Sequence, residues 1–107
     1  MISNYKQATR RQVLDTEDRF AKEFPAYEKP TDSNRYRLLE MMIGTSVDQG
    51  LFIINTLKEA IKNPGVVCEL GVAQGATSAL IANEIKALHK RLYFFDSFEG
   101  LPAPNVE

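Results

Sequence analysis

Two stretches in the middle of the chain carry apolar residues with the period of an α-helix. The first is predicted over about residues 34–43, because polar N-cap candidates at 31–33 precede four apolar residues on one helical face. Those four residues are Leu38, Leu39, Met42 and Ile43. Gly44 then ends the pattern, since glycine favours the left-handed conformation common at helix ends.

A second helix is predicted to follow, because Ser46 and Gln49 have the spacing of a capping box. Apolar residues then recur every three to four positions and form a stripe suited to a core. They are Val47, Leu51, Ile54, Leu57 and Ile61. The segment Asn63-Pro64-Gly65 ends this helix, because proline cannot continue the hydrogen-bond ladder.

Residues 1–30 are rich in charge and only weakly periodic, with Phe20 and Phe24 one helical turn apart before Pro25. This pattern predicts a charged N-terminal arm or one or two short helices. The mixed charges are interpreted as a solvated surface. They are Arg10, Arg11, Asp15, Glu17, Asp18 and Arg19.

The rest of the chain predicts a β-α-β unit. An apolar run at 66–70 indicates a strand covered on both faces, in which Cys68 packs as a small core residue. A helix is predicted over 76–90, a second strand over 92–96 and a loop over 97–107. The apolar face of that helix comprises Leu80, Ile81, Ile85 and Leu88. We therefore expect an α/β fold with parallel strands and a right-handed crossover.

Composition narrows the classes of partner. With 107 residues, 44% of them hydrophobic and 25% charged, the chain suits one globular domain. A net charge of -1 argues against a nucleic-acid partner. Residues 1–11 lack the apolar segment of a signal peptide, and no run approaches the length of a membrane span. We therefore expect a cytoplasmic protein with no membrane partner.

The candidate chemistry lies where the first strand leads into the helix. In open parallel sheets, ligands bind beyond the carboxyl ends of the strands. Gly71 and Gly75 would let the backbone approach a ligand closely there, and Glu69 adds negative charge. The helix start offers amide donors near Thr77 and Ser78.

Asp96 is the matching residue at the end of the second strand. A carboxylate can accept hydrogen bonds from both hydroxyls of a ribose, so this pair of strand ends indicates a nucleoside cofactor. The glycine spacing G-x-x-x-G differs from the G-x-G-x-x-G of dinucleotide sites, and the phosphate-loop motif is absent. Glu69 also disfavours a diphosphate, because it would repel phosphate.

Three strings in the sequence resemble the class I S-adenosylmethionine-dependent methyltransferases, and among them the macrocin O-methyltransferase type. They are Val67–Val72 with Gly75, Phe95–Pro102, and Met42-Ile43-Gly44. The resemblance extends from about Met41 to Asn105. It implies a Rossmann-like sheet of seven strands, of which residues 31–107 would be the N-terminal half, apparently truncated after the first β-α-β unit.

The same resemblance implies S-adenosylmethionine lying across the first two strand ends. The methionine part would face Glu69, Gly71, Val72 and Gly75, the ribose Asp96, and the adenosine edge Ser97 and Phe98. The acceptor would be a hydroxyl of a sugar or other small molecule, with a divalent metal in a full-length form. The family's metal ligands and catalytic base lie further along the chain, so no residue here is assigned to those roles.

Other interpretations remain open at this point. A non-catalytic binding or interaction remnant of such an enzyme would share every motif found here, and another nucleoside-binding enzyme on a similar sheet is a third hypothesis. A purely structural interpretation makes the glycines simple turn residues and Asp96 a loop cap. His89 is interpreted as a solvated helix end. Bare strand edges also allow a homo-oligomer.

Overall fold

The computed structural model describes residues 7–71, 75–86, 88 and 90–96. This part of the chain forms four helices and a two-stranded parallel sheet, with a β-α-β arrangement toward its C-terminal end. None of the helices described is long and apolar enough to cross a membrane. The elements are α1 (Arg10–Glu23), α2 (Asn34–Glu40), α3 (Val47–Ala60), β1 (Val67–Leu70), α4 (Ala76–Ile85) and β2 (Leu92–Phe95).

The charged N-terminal region contains one continuous helix, α1. Its start is a capping box, in which the Thr9 hydroxyl accepts from the Gln12 amide and the Gln12 side chain accepts from the Thr9 amide. Val13 and Phe20 anchor the helix in the core. Glu17 is only 1% exposed, so the interpretation of this whole segment as a solvated surface is wrong at that residue.

The helix predicted over 34–43 begins where expected but ends at Glu40. The chain then turns, with the Met42 amide donating to the Leu39 carbonyl at 3.3 Å and Gly44 in the left-handed region at φ 80°. This early end changes the direction of the following residues. Met42 stays buried, whereas Ile43 is 44% exposed, so its predicted place on the buried face is wrong.

The predicted capping box of Ser46 and Gln49 is confirmed at the start of α3. Gly50, in the first turns of this helix, allows close packing: a β-carbon there would lie 2.8 Å from Leu39 Cδ2 and 3.4 Å from Leu80 Cδ2. The core therefore forms where α2, α3 and α4 converge, with α1 packed on α2 and α3. Its buried residues are Val13, Phe20, Tyr27, Leu39, Met42, Leu51, Ile54 and Leu80.

The sheet pairs β1 with β2 in parallel, in a register that runs from Val67 opposite Leu92 to Leu70 opposite Phe95. The predicted parallel pair is thus confirmed, joined through α4. That helix ends at Ile85 rather than at residue 90, so Leu88 lies beyond its buried face and is 46% exposed.

The prediction that the first strand is covered on both faces is wrong. Val67 and Glu69 are half-buried on the side of α4, but Cys68 and Leu70 alternate onto the opposite face and are exposed. Because parallel neighbours share a face, the partners of those two residues, Tyr93 and Phe95, belong to the same open face and are also exposed. The core role predicted for Cys68 therefore does not hold.

Candidate functional site

The carboxyl ends of β1 and β2 lie side by side. The Gly71 amide donates to the Phe95 carbonyl at 2.8 Å, which extends the parallel ladder one residue beyond Leu70. Asp96 immediately follows Phe95, so the topology brings the glycine turn and this carboxylate to the same edge of the sheet. This is the edge at which the sequence predicts a ligand.

Both glycines of the turn adopt the left-handed conformation, with φ 74° at Gly71 and φ 84° at Gly75. Other residues rarely take these angles, which explains the glycine at each position. A β-carbon at either site would meet no described atom within 4 Å. The backbone angle therefore accounts for both glycines, since no described side chain crowds either position.

Gly75 is the N-cap of α4, and the first amide to donate within the helix is that of Ala79, to the Gly75 carbonyl at 2.9 Å. The amides ahead of Ala79 are the donors that a helix start does not satisfy by itself. Together with the positive end of the helix dipole, they favour an acceptor group at this point.

The hydroxyl of Ser78, near the start of α4, donates to Oε1 of Glu69 in β1. Ser78 is buried and Glu69 half-buried, so this bond fixes the carboxylate beneath the turn. A carboxylate offers about four acceptor positions, and the bond to Ser78 uses one of them. Ser78 thus acts at the predicted site through Glu69, which remains able to accept from a ligand.

Six of the nine predicted site residues lie at the carboxyl ends of the two strands or at the start of α4: Glu69, Gly71, Gly75, Thr77, Ser78 and Asp96. Thr77 and Asp96 are half-buried. Val72, Ser97 and Phe98 lie outside the described residues, as does His89. Within the described ranges, no group of three or more His, Cys, Asp or Glu side chains is placed to hold a metal ion.

Sequence reasoning missed a second polar feature, a buried ion pair between α2 and α4. The Arg35 guanidinium donates to both oxygens of Glu84, at 2.7 Å from Nε and 2.6 Å from Nη2. Their side chains are 10% and 15% exposed. Burial lowers the pKa of Arg35, but the hydrogen bonds and charge of Glu84 outweigh it and raise the pKa, so the guanidinium stays charged. Arg35 lies four residues before the buried Leu39 in α2, and this helical spacing is the signal that indicates its burial.

The pair continues into a network that reaches α1. Arg35 also donates to the Glu28 carbonyl at 2.8 Å and to the Tyr27 hydroxyl at 3.1 Å. The hydroxyls of Tyr27 and Tyr36 donate to the two oxygens of Glu17, at 2.5 and 2.9 Å. Glu17 is therefore buried because two phenols satisfy its carboxylate.

The same network raises the pKa values of its phenols. Burial, followed by the hydrogen bond to Glu17, raises the pKa of Tyr36 to about 12. Burial and then the bond to Glu17 also raise the pKa of Tyr27 well above its usual value. Both hydroxyls therefore remain protonated donors at neutral pH.

A groove of about 910 Å³ lies between α1 and α3. Its aromatic side chains contact one another, with 4.4 Å between the ring centroids of Phe20 and Phe24 and 6.0 Å between those of Phe24 and Phe52. Among the described residues, none of those predicted for the cofactor site lines this groove. The groove is therefore a feature separate from the strand ends.

Comparisons of the chain with protein-family models, with curated proteins and with solved structures find no match. The support for a function therefore comes from the strand ends themselves. They combine a parallel β-α-β unit, two left-handed glycines between β1 and α4, and two carboxylates, one in β1 and one directly after β2.

Proposed function

We propose that this chain forms the cofactor-binding part of an S-adenosylmethionine-dependent methyltransferase acting on a hydroxyl of a sugar or other small molecule. The observation that carries the proposal is the pair of left-handed glycines, Gly71 after β1 and Gly75 at the start of α4, with Gly71 hydrogen-bonded to the strand end that precedes Asp96. Of the three sequence strings that resemble the macrocin O-methyltransferase type, one includes β1 and Gly71, and another begins at Phe95, the last residue of β2. The acceptor class comes from that resemblance alone.

Glu69 suits the methionine end of the cofactor. Its carboxylate carries negative charge, is held by Ser78 and retains acceptor positions, so it can pair with the cofactor's amino group. No described atom would crowd a β-carbon at Gly71 or Gly75, and glycine itself lets the methionine chain approach the backbone closely. The N-terminal amides of α4 are suited to the cofactor's carboxylate.

Asp96 suits the ribose. It follows the last residue of β2, and the Gly71–Phe95 hydrogen bond holds that strand end beside the turn. Two vicinal hydroxyls can donate to one carboxylate, and a half-buried carboxylate makes such bonds stronger than a solvated one. Phosphate cofactors are disfavoured, because Glu69 would repel them and the glycine spacing is not that of a dinucleotide site.

The chemistry assigned to this chain is binding and orientation. When bound, the cofactor supplies a methyl group activated by its positive sulfur. The residues of the strand ends hold its two polar ends, so that the methyl group would be presented in one orientation to an acceptor. No described residue is assigned as catalytic base or metal ligand.

Calorimetric titration of the purified chain tests the proposal directly. We expect S-adenosylhomocysteine and S-adenosylmethionine to bind in preference to NAD and ATP. Tight binding of NAD, with no heat from either methyl-donor nucleoside, would end the methyltransferase hypothesis. The titration tests cofactor binding and not turnover, because no described residue is assigned to catalysis.

The ribose assignment has its own test in Asp96→Ala. Loss of two hydrogen bonds to a charged group should weaken S-adenosylhomocysteine binding by about 1.5–3 kcal/mol, and Asp96→Asn should cost less. Asp15→Ala, the same change at an exposed aspartate of α1, is the matched control and should leave affinity unchanged. Unaltered affinity in a folded Asp96→Ala chain would show that the ribose lies elsewhere.

A further inference from the structure

Helix α4 makes polar contacts with its neighbours at two levels. Near its start, Ser78 donates to Glu69 of β1, and toward its end Glu84 accepts both hydrogen bonds from Arg35 of α2. The two contacting residues of α4 are separated by about 9 Å along the helix axis at the usual rise per residue. One contact lies near the segment bounded by Gly71 and Gly75, which we call the cofactor turn. The other contact lies on the side of the N-terminal helices.

The hydrogen bonds between Arg35 and Glu84 depend on the relative orientation of their helices, whereas the apolar contacts of α4 do not. Burial of Leu80 and Ile81 is favourable over a range of helix positions, because the hydrophobic effect is not directional. A bidentate guanidinium–carboxylate contact satisfies both hydrogen bonds in only one relative placement. Buried ion pairs are also weak sources of net stability, since desolvation offsets their attraction. The distinctive contribution of this pair is therefore the position of α4.

Arg35 is itself held from the opposite side. It donates to the Glu28 carbonyl, and to the Tyr27 hydroxyl that in turn donates to Glu17 of α1. These bonds fix the guanidinium to the segment before α2 and, through the phenol, to α1. The position of α4 is thus set by contacts with the N-terminal helices as well as by contacts with the sheet.

We propose that Arg35 is a positioning residue for the cofactor turn. Its bidentate contact with Glu84 sets the rotation and axial position of α4. It thereby places Gly75 at the helix start and Ser78 against Glu69. The step from helix position to cofactor affinity rests on the proposed function, whereas the effect of Arg35 on the turn does not.

The test is the double variant Arg35→Met/Glu84→Leu in the full chain. Apolar replacement removes the ion pair itself at little net cost, but it also removes the hydrogen bonds from Arg35 to Glu28 and Tyr27, so the chain should fold with a modestly lower thermal unfolding temperature. The backbone amide resonances of Gly71, Gly75 and Ser78 should shift in the ligand-free protein. Affinity for S-adenosylhomocysteine should fall about tenfold, the scale expected for a coupled residue that does not touch the ligand.

Tyr36→Phe is the matched control, because it removes a hydrogen bond to Glu17 in the same network without touching α4. It should lower stability while leaving those amide resonances and the affinity unchanged. Glu84→Gln preserves the shape of the side chain and decides the question if the double variant does not fold. It should shift the same three resonances by a smaller amount.

The outcomes separate the two proposals. Unchanged Gly71 and Gly75 resonances in a folded Glu84→Gln chain, or equal ligand affinity in the wild-type and the folded variants, would overturn the positioning role. Shifted resonances in a chain whose wild-type form binds no S-adenosylhomocysteine would support the positioning role and overturn the cofactor proposal.

Discussion

Leu80 and Leu70 lie on the consecutive elements α4 and β1, yet their surroundings are opposite. Leu80 is fully buried among the helices, whereas Leu70 is 78% exposed on the open face of the sheet. The contrast extends to both regions. The helices enclose a core and a network of satisfied buried polar groups, and the strands leave Cys68, Tyr93 and Phe95 exposed.

This difference separates what stabilises the molecule from what forms its candidate site. Packing among helices stabilises the N-terminal region, and side chains there are closely constrained. At the strand ends, backbone features carry the geometry: one ladder hydrogen bond, two left-handed glycines and a helix start. Substitutions should therefore act through different physical terms in the two regions.

The largest expected difference comes from one substitution made in both regions. Leu80→Ala should lower the free energy of unfolding by about 2–5 kcal/mol, because it removes buried methyl groups and leaves a cavity. Leu70→Ala should change it by less than about 0.5 kcal/mol, since its side chain is already in water. Denaturant unfolding measures both values, and similar losses would contradict the comparison.

Glycine substitutions give the next effect and distinguish crowding from backbone angle. Gly50→Ala should destabilise by about 1–3 kcal/mol, because the new β-carbon meets Leu39 Cδ2 at 2.8 Å. Gly71→Ala should cost about 1–2 kcal/mol for its left-handed backbone alone. Asparagine tolerates that conformation, so Gly71→Asn should cost less than Gly71→Ala, whereas Gly50→Asn should cost more than Gly50→Ala. If unfolding measurements showed Asn to cost more than Ala at Gly71 and less than Ala at Gly50, then crowding would act at Gly71 and backbone angle at Gly50, which would contradict this assignment.

The smallest effect is an alkaline dependence confined to the helical region. The pKa of Tyr36 is raised to about 12 in the folded chain, and that of Tyr27 is also raised. An unfolded tyrosine ionises near pH 10, so above that pH the unfolded state binds fewer protons than the folded state. The free energy of unfolding should therefore fall as pH rises through about 10 to 12, where this contribution of Tyr36 is lost. Tyr36→Phe should flatten the slope, and an unchanged slope would contradict the network.

Local signals account for the parts of the fold that sequence predicts well. The capping box at Ser46 and the strand–turn–helix–strand order are local patterns, and both are confirmed. The Thr9 and Gln12 capping box at the start of α1 has the same spacing. The many charged residues around it leave only a weak apolar period, so the sequence does not predict one continuous helix there. Burial is harder to predict because it depends on residues distant in sequence. Glu17 is buried because Tyr27 and Tyr36 donate to its carboxylate, whereas Leu70 stays exposed although its strand is apolar.

In the candidate site, too, some features follow from local sequence and others depend on distant residues. Left-handed angles at Gly71 and Gly75 follow from glycine at a strand–helix turn, and the parallel register brings Asp96 to the same edge. The bond from Ser78 to Glu69 depends on how α4 is rotated over β1, which periodicity does not specify. The pairing of Arg35 with Glu84 joins segments whose relation only the tertiary fold defines.

That same pairing constrains the order in which the chain assembles. Arg35 and Glu84 are 49 residues apart, so α1, α2 and α3 are synthesised before the carboxylate exists. Burying the guanidinium alone would leave an uncompensated charge, which is strongly unfavourable. At ribosomal rates of about 5–20 residues per second, the Arg35 guanidinium must therefore stay hydrated for seconds. The arrival of α4 is therefore the event that allows the nascent helical core to close.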